Sequence, residues 1–125
     1  MQKLADYAPL AARILLAILF LLAGLGKLAD VQGFTGYLTS GGLPAILAWP
    51  AILFEIAVGV LLIVGWQVRY TALAAAAFCV VSAALYHNNF ADQMQMVMFL
   101  KNLAIAGGFL ALFAHGAGKL ALDKA

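Results

Sequence analysis

Charge is what this sequence has least of. Only 10% of its 125 residues are Asp, Glu, Lys or Arg, where a soluble protein carries about 25%, so a solvated surface is excluded. There is a single cysteine, Cys79, which rules out an intramolecular disulfide relay, because that chemistry needs a pair of thiols. The seven basic residues are scattered along the chain, and without a basic stripe there is no footprint for nucleic acid. Its two histidines, His87 and His115, fall at opposite ends of the apolar runs described below. About 30 Å of hydrocarbon separates those ends, so one haem cannot take both from a single chain. His87 with Asp92 is too small a ligand set to read as a metal site. No metal, covalent haem or thiol relay is expected.

Apolar residues fill the space that charge leaves. They make up 66% of the chain, with a mean hydropathy of +1.05, more than a soluble core of this length could hide. Four runs, at about residues 9–28, 43–66, 69–86 and 96–115, approach the roughly 20 residues that a membrane span needs. Open sheets are excluded in lipid, where each unpaired backbone group costs several kcal/mol. The expectation is an all-α integral membrane protein, an up-and-down four-helix bundle forming one domain over residues 1–125. The first run has something of a signal peptide, but three further spans follow and Lys27 stays in helical phase with Arg13, so it is read as an uncleaved helix.

Between the first two runs, Asp30 can cap a short helix whose apolar side is Val31, Phe34, Tyr37 and Leu38, ended by the glycines of SGGLP. This segment is expected to lie in the membrane interface. Trp49, Trp66, Tyr70 and Tyr86 fall near span ends, where amphipathic rings prefer to sit. With a cytoplasmic N-terminus, Lys3, Arg13, Arg69, Lys119 and Lys124 lie inside and only Lys27 and Lys101 outside, so the positive-inside rule favours both termini in the cytoplasm.

Helical phase then selects faces. Arg13, Ala17, Phe20, Gly24 and Lys27 share one stripe, as do Ala51, Glu55 and Gly59. A third stripe is Ala75, Cys79, Ser82, Ala83 and Tyr86, and a fourth is Lys101, Ala104, Gly108, Ala111 and His115. Small residues let helices approach closely, so all four stripes are expected inside. Glu55 lies near mid-span, with Arg13 and Lys101 each displaced by about 8 Å to either side of their own span centres at 1.5 Å per residue. An isolated charge there costs about 2.5–3.5 kcal/mol. A buried ion-pair centre of Arg13, Glu55 and Lys101 is therefore expected, with Arg13 to Glu55 as the main tie. Lys27, Trp49, Tyr86, His87, Asn88 and Asn102 are candidates to line a quinone or headgroup pocket on the outer side.

These residues carry a resemblance. The segments RILLAILFLLAGLGK, GGLP, EIAVGVLLIVG followed by Arg69, KNLAIAGGFL and GAGKLALD, with His87 between, come in the order and spacing of the DoxX family of small bacterial inner-membrane proteins, which this chain resembles over nearly its whole length. The resemblance implies four transmembrane helices and a loose tie to redox, as a non-catalytic subunit or anchor of a membrane-associated oxidoreductase or quinone-linked complex. Two other readings come from the residues: a small-molecule or lipid-headgroup binding or transport protein using Glu55 and nearby cations, and a structural or assembly factor. Self-association into a homo-oligomer is compatible with the small-residue faces.

Overall fold

The computed structural model describes residues 2–123. Five α-helices follow one another: α1 (Gln2–Ala29), α2 (Val31–Ser40), α3 (Ala48–Val64), α4 (Val68–Tyr86) and α5 (Gln93–His115), with a 3-10 turn at Ala45–Leu47 leading into α3. Four of them, all but α2, are long and apolar enough to cross a membrane. Among the described residues there is no strand.

The first helix begins seven residues earlier than the apolar run suggests, and Pro9 lies inside it. The reason lies in the C-terminal segment 116–123, which folds back across this end. Pro9 is buried, and a Cβ on Gly118, which has φ +83°, would stand 2.7 Å from it. Lys119 pairs with Asp6 at 3.4 Å. Leu122 and Asp123 donate their amides to the carbonyls of Val64 and Gly65 at 3.2 and 2.8 Å.

The same segment supplies a cap that spacing arguments miss. The Asp123 carboxylate accepts from the amides of Gln67 and Val68, both at 2.8 Å, satisfying two of the free donors that every helix start leaves. Between α3 and α4, Gly65 and Gln67 are both left-handed, with φ of 76° and 54°. The cap helps to hold Gln67 in a conformation that non-glycine residues adopt at a cost. At the other end Asp30 accepts from Gly33 and opens α2, as expected, and Asp92 accepts from Met94 and opens α5.

Packing is uneven. α1 lies along α3 and α4 along α5, while the two pairs touch each other more sparingly. Three of the four expected stripes are inside. Arg13, Ala17, Phe20 and Gly24 are buried on α1, Glu55 and Gly59 on α3, and Ala75, Cys79 and Ala83 on α4. The fourth expectation fails, because Lys101, Ala104, Gly108, Ala111 and His115 are all exposed and α5 buries Ala106, Phe109 and Leu112 instead. Phe109 sets that phase by an edge-on contact with Phe20, ring centroids 5.3 Å apart.

Lys3, Arg13, Arg69 and Lys119 gather toward the end of the bundle where the chain starts and finishes, with Lys27 toward the other. Lys124 lies outside the described residues. Replacing the tail's cap by Asp123→Ala should lower stability by about 1 kcal/mol, read as an earlier midpoint in denaturant titration of the detergent-solubilised protein. An unchanged midpoint would mean that the tail does not brace the α3–α4 turn.

Candidate ligand-binding site

The site begins with the register of α1 against α3. A Cβ on Gly24 would meet the Ile56 side chain at 2.7 Å, and one on Gly59 would meet Leu21 at 2.9 Å. Both glycines are therefore required by close backbone approach. In this antiparallel register Glu55 faces the stretch from Gly24 to Lys27, and the Lys27 ammonium donates to Glu55 Oε1 at 2.5 Å. The Glu55 side chain is 3% exposed and that of Lys27 30%, so the carboxylate is sealed while the ammonium keeps an open side. Lys27 Nζ also lies 5.0 Å from the Phe34 ring centroid, a cation–π contact that ties α2 to the pair.

The expected Arg13 to Glu55 pair is corrected here. Arg13 is fully buried, yet its guanidinium donates to the carbonyls of Leu62 at 2.9 Å and Ile63 at 3.3 Å, and to Leu120 of the returning tail. Leu62 and Ile63 belong to the last turn of α3, whose carbonyls lack helical partners and carry the negative end of the helix dipole. Seven residues separate Glu55 from Leu62, about 10 Å along the helix. The helices are staggered, not aligned at their span centres as the depth argument assumed. Lys101 is corrected too: it is exposed on α5 and is not joined to Glu55.

Between the two helix pairs, toward the α2 end, lies a cavity of about 900 Å³. Phe20, Phe54 and Phe78 form an aromatic wall, with Phe20 to Phe78 at 5.9 Å and Phe54 to Phe78 at 5.2 Å between centroids. Its polar lining is Lys27, Tyr37, Glu55, Ser82, Tyr86, His87 and Asn102. Four of the six residues expected to line a pocket do so: Lys27, Tyr86, His87 and Asn102. Trp49 is half exposed, away from the cavity, because the 3-10 turn delays the start of α3. Asn88 is exposed, its amide donating to Ala84 O at 3.1 Å.

Two buried atoms of this lining have no hydrogen-bond partner, Glu55 Oε2 and His87 Nδ1. Buried polar groups are normally satisfied. Ser82, Phe54, Phe78 and the unpartnered oxygen of Glu55 are the parts of the site that charge counting could not find.

α2 roofs the cavity with Phe34, Tyr37 and Leu38, so its apolar side packs on the bundle. The Tyr86 hydroxyl donates to Leu38 O at 2.7 Å, and Tyr37 stacks on Tyr86 at 4.9 Å. Burial raises the pKa of the Tyr37 phenol, and its neighbour Tyr86 raises it further. Gly41 is obligatory beneath it, since any Cβ there would enter the Tyr86 ring. Among the described residues no three His, Cys, Asp or Glu side chains come together as a metal site.

Comparison with known proteins places this geometry among relatives. The family described as DoxX matches residues 8–88. Inner membrane protein YqjF of Escherichia coli (strain K12) is 41% identical over 124 residues, covering 99% of this chain and 95% of its own. Inner membrane protein YphA of the same organism is 30% identical over 122 residues, 92% of this chain and 87% of its own. No solved structure matches.

The two buried charges can be separated by mutation. Lys27→Met strands the Glu55 carboxylate and should cost about 3 kcal/mol, the lower end for breaking a buried pair, whereas Lys27→Met with Glu55→Gln should recover most of it. Arg13→Met and Glu55→Gln should add without coupling. A double-mutant cycle in denaturant titration reads both, and strong coupling of Arg13 to Glu55 would contradict the register.

Proposed function

The chain belongs to the DoxX family, and from that premise we propose that it is a multi-pass inner-membrane protein that binds an amphipathic small molecule between its helix pairs. The observation that carries this reading is the cavity, an apolar volume with aromatic walls and a polar lining drawn from all five helices. Ligand sites characteristically have this make-up, mostly apolar with a few convergent polar groups. The protein acts in this reading by binding, without catalysing a reaction alone. Its N- and C-termini face the cytoplasm, which places Lys3, Arg69 and Lys119 on the side where basic residues are retained.

A quinone is one member of the ligand class, and the residues fit it. Phe54 and Phe78 offer faces for the ring, and Lys27, Ser82 and Asn102 offer donors for its carbonyl oxygens. A bound quinone would supply a two-electron acceptor to a membrane-associated oxidoreductase recruited to the bundle. The purely structural reading loses support from the same feature, since a register pin does not need a cavity beside it.

Filling the cavity tests the proposal. A short-chain benzoquinone or a ten-carbon amphiphile at a hundredfold excess over its Kd should stabilise the protein by about 2–3 kcal/mol. Ala51→Phe, which places a ring inside the cavity, should abolish the shift while the protein remains folded by circular dichroism. Stabilisation by none of these compounds would remove the binding reading.

A further inference from the structure

The charges around the cavity do not cancel. Lys27 and Glu55 neutralise each other, which leaves Lys101 of α5. Lys101 is exposed and makes no hydrogen bond or ion pair among the described residues. It adjoins Asn102 and follows Met98 by three positions, and Met98, Asn102 and Ile105 are the α5 residues that line the cavity. Lys101 therefore flanks the lining ridge. Gly108 lies seven residues on, along the same flank, and the atom nearest to its would-be Cβ is Leu16 Cδ2 of α1, at 3.9 Å. The flank thus turns toward the seam where α5 meets α1, across which Leu19, Phe20 and Ala23 line the same cavity.

Among the described residues no carboxylate answers this cation. Asp30 and Asp92 are engaged as helix caps, and Asp92 lies nine residues before Lys101, about 13 Å along the helix. Asp6 and Asp123 sit at the far end with the chain termini. An ammonium held within a membrane span calls for a counter-charge, and a lysine's flexible stem can carry it from a flank toward a neighbouring opening.

We propose that the ligand of this cavity is an amphipathic anion, its apolar body between the aromatic walls and its carboxylate or phosphate head held at the rim by Lys101 and Asn102. The inference rests on the binding reading above and narrows it. The charge of Lys27 is already balanced by Glu55, so the unbalanced positive charge at the rim is that of Lys101. The head comes either from a free lipophilic acid or from an anionic lipid, and both present the same chemistry to Lys101.

Three ten-carbon probes separate the possibilities, decanoate, decanol and decylammonium, titrated onto the full chain in zwitterionic nanodiscs at a pH where the acid is ionised. Decanoate should bind about tenfold more tightly than decanol, as expected for one partly screened charge pair, and decylammonium more weakly than either. Lys101→Met should remove the preference for the acid and Lys101→Arg should keep it, while both leave the binding of decanol unchanged. In nanodiscs containing anionic lipid, a loss of apparent decanoate affinity that Lys101→Met abolishes identifies a lipid head as occupant, and its absence identifies a free acid. Equal affinity for decanoate and decanol, or a preference that survives Lys101→Met, overturns the anion assignment and leaves the binding reading intact. Failure of all three probes to bind overturns both.

Discussion

The close approach of α1 to α3 at Gly24 and Gly59 is the constraint on which the rest of the structure depends. Any side chain at either glycine would drive the helices apart. With the helices in contact, the register is fixed, and the register decides which charge meets which. Lys27 reaches Glu55, and Arg13 reaches the open carbonyls at the end of α3. In lipid no hydrophobic force drives helix association, so close packing and polar contacts must supply it. Here one interface carries both.

That interface also explains the cavity. α1 binds tightly to α3 and α4 to α5, and two rigid pairs cannot follow each other's surfaces along their full length. At the end where the chain starts and finishes, the C-terminal segment fills the mismatch, with Ala117 buried and Arg13 bonded to Leu120. At the other end the void stays, roofed by α2. The aromatic side chains of Phe20, Phe54 and Phe78 wall it because, lacking hydrogen-bonding groups, they can face a void without losing hydrogen bonds.

The four spans, the Asp30 cap, the short helix after the first span and three of the four inner faces were legible in the sequence, because each rests on local spacing or on hydropathy over some 20 residues. The pairing of charges was not. It depends on how far one helix slides along another, and an assumption that span centres align displaced Arg13 relative to Glu55 by about two helical turns. The α5 face failed for a related reason: small residues mark close approach, but they do not say whether the neighbour belongs to the same chain. Phe109, which does set the α5 phase, is one large residue among many. Of the expected pocket, Tyr86, His87, Lys27 and Asn102 were found because polar groups near span ends are few. Trp49 was misplaced by a small error at the start of α3, and Asn88 because its amide turns back to the Ala84 carbonyl.

The buried charges of this chain fall into two kinds, and the difference bears on function. Arg13 is sealed and donates to the carbonyls of Leu62 and Ile63, left open by the end of α3, and to that of Leu120 in the tail; its Nε has no partner, but the residue lines no part of the cavity. The Lys27–Glu55 pair is incomplete: one carboxylate oxygen has no partner, the ammonium has an open side, and both residues line the cavity. A pair kept only to fix register gains nothing from being left half satisfied, since an unmade buried hydrogen bond costs about 1–3 kcal/mol. The open side of the ammonium and the free carboxylate oxygen therefore mark where the cavity wall is polar. Arg13 is thus bonded to the packed helix end and tail, whereas Lys27 and Glu55 border the cavity.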